Sequence, residues 1–414
     1  MGKEEIERNQ RSRLYGAMIE SVAQRGYEAT TISHLLGLAG VGRRRFYTLF
    51  ANKEECFLGT YDIVVAHTRK RMLEAWQSER GWVNRLHASC KVLLDDAADS
   101  PKGPHLVLVD TLGIGPKARE RMLLAGFTFE RLVSAALVRA PDSVVFPSLT
   151  SRAVVSGVRH LLFTHILEER HEELHGLTDE VLDWIGSYRI PPGKRLRTLK
   201  PDESQRVSPM PAAFLTREDP RARALGSLVH LTLDEGYATL TDPQIADFAG
   251  ISTKAFHKQF ANKEECFLAV LDEFTNEALD VVRPVMESAV SWEEGVYLSI
   301  GAFLEHLVTH QALLRLTFID LFEVGPGMIR RMTGLVADLV DLLTRHAPDA
   351  VSAPQLAQPA VTGALWGIIS TYVGNDRLSR IPTLIDHLAF IVLAPYIGAE
   401  SAIEAVAAVQ RRQS

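Results

Sequence analysis

The sequence predicts an all-α protein in which one helical unit is built twice in tandem. Three observations carry this prediction. The octet ANKEECFL stands at 51–58 and again at 261–268. An offset of 210 positions aligns the flanks without a gap, from Gly26-Tyr27 on Gly236-Tyr237 to Met122 on Met332, which is too long for a shared local motif. Apolar residues recur at helical spacing in both copies, with no alternating strand pattern bounded by hairpin turns.

Taken along the chain, RSRLYGAMIESVAQRG places Leu14, Met18 and Val22 on one stripe, with Tyr15 and Ile19 beside it. The second copy repeats the stripe with Leu225, Leu228, Val229 and Leu233. Each of these helices stops at a glycine, Gly26 or Gly236. Asp219-Pro220 is a helix start, with Asp as N-cap and Pro at the first helical position. Farther on, Trp82 pairs with Trp292, and LVLVDTLGIGPKARERM (106–122) with LTFIDLFEVGPGMIRRM (316–332). Past that point the offset drifts to 206, where VSGV at 155 meets VTGA at 361. Residues 189–218 between the copies are rich in proline and charge and hold no sustained apolar period, so they read as a linker. At about 3.3 Å per extended residue it spans on the order of 100 Å.

A chain of 414 residues is long enough for two or more domains, each with its own core. The net charge of -6 argues against a protein coated in nucleic acid, but the charge is unevenly spread. Residues 1–53 carry nine Lys and Arg against five Glu, a local anion-binding face on an acidic chain. Residues 212–263 hold six basic and six acidic residues. Cys56, Cys90 and Cys266 are too few and too scattered for a disulfide framework or a four-cysteine metal site. Cys56 and Cys266 fall on the apolar side of a helix and are expected as buried thiols rather than redox sensors. The start MGKEEIERNQ is no secretory signal. LAFIVLAPYIG near the C-terminus is short, holds Pro395 and reads as a buried helix rather than a membrane span. A cytoplasmic setting without membrane attachment is expected.

The segments 31–57 and 241–267 carry the function. Each opens with a threonine N-cap, Thr31 or Thr241, the latter in capping-box spacing with Gln244. A short helix follows and ends at Ala-Gly; a branched residue, Val41 or Ile251, plugs the angle before a second helix with two inward phenylalanines at i, i+4. That is a helix-turn-helix. Its second helix leaves Arg43, Arg44, Arg45, Tyr47 and Thr48 to point outward in the first copy, and Thr253, Lys254, His257 and Lys258 in the second. The planar fork of arginine pairs with guanine O6 and N7 or grips a phosphate. Lys53 and Lys263 sit ahead of a third helix, where a cation beside free backbone N–H groups makes a phosphate anchor.

These residues resemble the N-terminal DNA-binding domain of the TetR family of transcriptional regulators over about fifty residues per copy. The helical remainder of each copy has the length of that family's ligand-sensing domain, and GIGPKARERM looks like the segment joining its sixth and seventh helices. The resemblance implies two TetR-like units, divided as helix-turn-helix domains at 1–58 and 219–268 and sensing/dimerisation domains at 59–188 and 269–410. It also implies double-stranded operator DNA and an unknown small-molecule effector as partners, a repressor-like role, and no enzyme activity, cofactor or structural metal. Two protomers on one chain then predict an intramolecular pseudo-dimer with a four-helix interface from 150–188 and 355–398, open to further homodimerisation. The recognition helices differ, His257 standing where the family has the tyrosine kept as Tyr47, so the operator is expected to depart from a perfect palindrome. A binding scaffold with one or both motifs inactive is the alternative.

HEELH at 171–175 matches a zinc-protease pattern, two histidines one turn apart with a glutamate between them. Its flanks lack the apolar residues of a buried catalytic helix, Gly176 ends the helix at once, and no third ligand stands out downstream. Catalysis there is not expected. Phe303, Phe318, Phe322 and Trp366 are aromatics of the second sensing half, read as core with a pocket lining as the other option.

Overall fold

The computed structural model describes residues 2–141, 145–198, 211–324, 326–348 and 354–413. Residues 199–210 of the expected linker lie outside the described residues. The fold is all-α; among the described residues the only β feature is an isolated antiparallel bridge between Val145 and Ile190.

In the first copy α1 (Lys3–Ala29) bends at Gly26, where φ of 76° breaks the helical path. Next come α2 (Ile32–Ala39), α3 (Arg43–Leu49), α4 (Lys53–Ser78) and α5 (Trp82–Asp99). A short α6 (Lys102–His105) passes into one π-helical turn. Gly115 and Pro116 then start α7 (Pro116–Val138), followed by α8 (Thr150–Leu167) and α9 (Thr178–Gly186).

The second copy repeats the plan with α10 (Pro220–Glu235), α11 (Asp242–Phe248), α12 (Thr253–Phe256), α13 (Lys263–Ser288) and α14 (Trp292–Thr309). It continues with α15 (Gln311–Phe318), α16 (Pro326–Thr344), α17 (Ala357–Gly374), α18 (Ile385–Ile397) and α19 (Ala399–Gln413). Asp219 caps α10 as expected, its carboxylate accepting from the N–H groups of Arg221 and Ala222, a contribution of about 1 kcal/mol.

The chain divides into two compact units, residues 1–139 with 159–182, and residues 140–158 with 183–414. In the first unit, Leu14, Met18 and Val22 from α1 pack into one apolar cluster with Phe46, Phe50 and Phe57. The Trp82 indole donates to the Ala136 carbonyl at 2.8 Å. In the second unit Leu225, Leu228 and Val229 are buried, while Leu233 is only half-buried.

The second unit also contains two pieces of the first copy. Ser156 lies directly against Gly367, and Gly157 against the Ala360 carbonyl and the Trp184 ring. The Tyr188 hydroxyl donates to the Ile391 carbonyl at 3.2 Å, and Ser148 hydrogen-bonds His387 at 3.1 Å. The apolar C-terminal run is a core helix. Leu378–Ile397 has the length and apolarity of a membrane crossing, yet Leu388 through Pro395 are all buried among neighbouring helices.

Candidate nucleic-acid interface

In the first motif Thr31 accepts from the His34 N–H, and His34 Nδ1 accepts in turn from the Thr31 N–H, a capping box closed by histidine. The sequence hid this partner because Glu or Gln is the usual third residue. Gly40 ends α2 in the left-handed conformation at φ 57°, and Val41 is buried in the angle before α3. Phe46 and Phe50 face inward, so the opposite side of α3 meets solvent.

Arg43, Arg44, Tyr47 and Thr48 are exposed on that side, with Tyr47 51% exposed. Arg45 is different. Its Nε donates to Gln10 at 2.6 Å and its guanidinium sits 3.6 Å from Glu7, so it ties α3 to α1. Thr48 returns its hydroxyl to the Arg44 carbonyl at 3.0 Å.

Lys53 turns inward. Its ammonium donates to the Tyr27 carbonyl at 2.8 Å and lies 4.0 Å from the Tyr27 ring centre, closing the end of α1 where carbonyls lack helical partners. Lys263 repeats the clamp with three carbonyls, those of Tyr237, Ala238 and Leu240. Burial lowers the pKa of its ammonium.

The second motif keeps the frame and changes the surface. Thr241 and Gln244 form the expected capping box, Gly250 turns at φ 64°, and Phe256 and Phe260 are buried. Its recognition helix α12 spans four residues against seven in α3. The Gln259 N–H bonds to the Phe256 carbonyl, three residues back, so the chain leaves the helix in a tight turn that carries Lys258. Thr253, Lys254, His257 and Lys258 are all exposed.

Thr241, Asp242, His257, Asn262 and Lys263 line one open depression. Asp242 dominates it: one carboxylate oxygen accepts the backbone N–H of Lys263 at 2.8 Å, and the other stands 3.7 Å from His257. An N–H at the start of α13, the group suited to a phosphate, is thus already held by an internal anion. The first copy has Ile32 at this position.

HEELH forms a 3₁₀ turn rather than a catalytic helix. His171 bonds the Ala98 carbonyl at 3.0 Å, whereas His175 stands 3.2 Å from both Asp95 and Asp99, so both are tied to α5. The three thiols are free and buried. Burial pushes those of Cys56 and Cys90 up to about 12 and raises that of Cys266 as well, leaving little thiolate for redox chemistry.

An apolar pocket in the second copy is lined by Phe274, Phe303, Leu307, Phe318 and Leu335, with the hydroxyl-bearing Thr317 among them. The Trp366 ring lies tilted at 30° against Phe318, with centroids 4.5 Å apart.

The sequence profile described as "Bacterial regulatory proteins, tetR family" matches this chain twice, at residues 16–60 and 229–270. The HTH-type transcriptional activator FasR of Mycolicibacterium smegmatis is 25% identical over 167 residues, covering 39% of this chain and 76% of that protein. The uncharacterized HTH-type transcriptional regulator YhgD of Bacillus subtilis is 30% identical over 79 residues, 19% of this chain and 41% of that protein. Among solved structures, the fatty acid degradation regulator FadR from Bacillus halodurans is similar at a TM-score of 0.38 and 18% identity, covering 43% of this chain and 96% of its own. FadR from Bacillus subtilis in complex with stearoyl-CoA is similar at 0.39 and 15% identity, covering 42% and 96%. The two profile matches fall on the two helix-turn-helix motifs, so this chain carries two TetR-family helix-turn-helix segments in tandem.

Proposed function

We propose that this protein is a ligand-responsive transcriptional regulator, not an enzyme, that acts as a single-chain pseudo-dimer on an operator with two unlike half-sites. The observation that carries the reading is the presence of residues 140–158 and 183–190 of the first copy in one compact unit with α17 and α18 of the second. Of the expected interface segments, 150–158 and 183–188 lie in this unit with 355–398, whereas 159–182 belongs to the first unit; the shared part supports pairing within one chain. A tethered partner has an effective concentration on the order of millimolar, so pairing survives dilution of the protein.

Unequal motifs support unlike half-sites. Arg43 and Arg44 on a two-turn α3 offer two forked cations, and Tyr47 and Thr48 complete that face. Lys254 on a one-turn α12, with Thr253, His257 and Lys258, offers less. Asp242 adds a negative charge where a phosphate would approach. Thr31 and Thr241 cap the helices beside the backbone, while Arg45, Lys53 and Lys263 hold the motifs in shape and contribute to DNA binding through that shape. The domain divisions 1–58, 59–188, 219–268 and 269–410 follow from this reading. The apolar pocket around Phe303 and Phe318 has a volume of about 30 Å³, room for little more than a water, so an effector would have to open it.

The test is fluorescence anisotropy on DNA selected from a random pool by the full chain. Arg44→Ala is expected to weaken binding more than Lys254→Ala; equal losses would refute the asymmetry. Unchanged binding in both variants would favour the scaffold reading.

A further inference from the structure

We propose that Glu277, His306 and His310 form a binding site for a divalent transition-metal ion of the zinc type. Their ligating atoms all lie within 4.8 Å of one another. His306 in the last turn of α14 and His310 at its C-cap are one turn apart, so both imidazoles leave the same helix face, and Glu277 approaches from α13. Two histidines and one carboxylate are a recurrent zinc donor set that leaves a fourth position for water or another ligand.

A second observation points to the ion. His306 is 8% exposed, and its Nε2 is completely enclosed with no hydrogen-bond partner. Its ring also stacks on Phe274, centroids 5.1 Å apart, with the Phe274 backbone within reach as an acceptor. A ring nitrogen that donates to a backbone carbonyl leaves the other with a lone pair for a ligand, the arrangement found in metal-ligating histidines. An imidazole nitrogen buried without a partner is costly, and a metal bond satisfies it.

Glu277 is oriented in the same manner. Its Oε1 accepts the Phe214 N–H at 3.0 Å, leaving Oε2 for the ion. Bonds of about 2.0–2.2 Å to a tetrahedral zinc place donor atoms roughly 3.5 Å apart. The half-buried Glu277 and His310 therefore close by about 1 Å through side-chain rotation, while His306 stays fixed. The first copy lacks the set, with His67, Asp96 and Ser100 at the equivalent positions and Asp96 engaged by Arg71 at 2.7 Å. The ion would join α13 and α14 and, through Glu277, the 3₁₀ turn Ala213–Thr216 that leads into the second helix-turn-helix.

The test is titration of Co²⁺ into EDTA-treated full-length protein, read by the visible ligand-field band and then by displacement with Zn²⁺. The expected result is one ion per chain with a tetrahedral-type band and a Zn²⁺-dependent rise in melting temperature. His310→Ala and Glu277→Gln, both at half-buried positions, should each weaken binding at least ~10-fold; circular dichroism checks that they fold. His171→Ala should leave binding unchanged. No stoichiometric binding, binding unaffected in both His310→Ala and Glu277→Gln, or binding lost in His171→Ala would overturn the proposal.

Discussion

Replacing Gly367 by alanine puts a methyl group onto the side chain of Ser156, whose Cα would be 3.6 Å away. Ser156 belongs to the first copy and Gly367 to the second, inside one compact unit. A Cβ cannot rotate away, so α8 and α17 must shift. Overpacking of this kind costs about 1–3 kcal/mol, and alanine's better helix propensity returns about 1, leaving a net loss of up to about 2 kcal/mol. Ser156→Gly removes the colliding atoms, and the next contact is then the Cα at an ordinary van der Waals distance. In that background Gly367→Ala is expected to be neutral or to stabilise by up to about 1 kcal/mol, so the double-mutant cycle should show a coupling equal to the relieved overpacking, about 1–3 kcal/mol. The assay is urea denaturation of the four proteins followed by far-ultraviolet circular dichroism, repeated over a hundredfold range of protein concentration. Additivity within about 0.5 kcal/mol would refute the crossing. A midpoint that rises with concentration would show that another chain supplies it.

Other consequences are open to measurement. Arg44→Ala should cost about 1–3 kcal/mol of DNA affinity if it reads a base, with relaxed specificity in one half-site, as assayed by repeating the selection. Asp242→Asn removes the internal anion at the start of α13 and should raise affinity, increasing the salt-dependence slope by about 1; a lower affinity would show that Asp242 shapes the motif. Lys53→Ala should lower the melting temperature by freeing the Tyr27 carbonyl and lower affinity for all sequences alike; a change in preferred bases would contradict that. His160 has its pKa lowered to about 4 by burial and then by Arg159. The unfolded chain therefore takes up a proton near pH 6.5 that the fold resists, and stability contributed by this group falls as pH drops from about 6.5 to 4, by up to ~1.4 kcal/mol per unit. His160→Gln should flatten that part of the stability profile.

The helix-turn-helix motifs were legible in the sequence because local rules specify them. Threonine caps, the Asp219-Pro220 start, positive-φ turns at Gly40 and Gly250 and two phenylalanines a turn apart all act within a few residues. The duplication was legible because a gapless offset preserves those spacings. Tertiary partners were not. Arg45 reads as a solvent-facing cation until α1 brings Gln10 and Glu7 beside it, and Lys53 reads as an anchor until the end of α1 offers carbonyls. The HEELH pattern looked more like a metal site than the triad of Glu277, His306 and His310, whose members are spread over two helices. Yet the 3₁₀ turn commits His171 and His175 to α5, and the scattered triad converges. Asp242 carried a readable signal, an acidic residue where the first copy has Ile32, but its effect depends on the Lys263 N–H reached only in the fold.

The most direct test of the central claim is selection of bound DNA from a random pool by the full-length protein at near-physiological salt, with the molar mass of the complex measured by light scattering. One chain on a non-palindromic site with two unlike half-sites is the predicted result. Two chains on a palindrome would contradict it, because the second motif would then serve assembly or sensing instead of reading DNA.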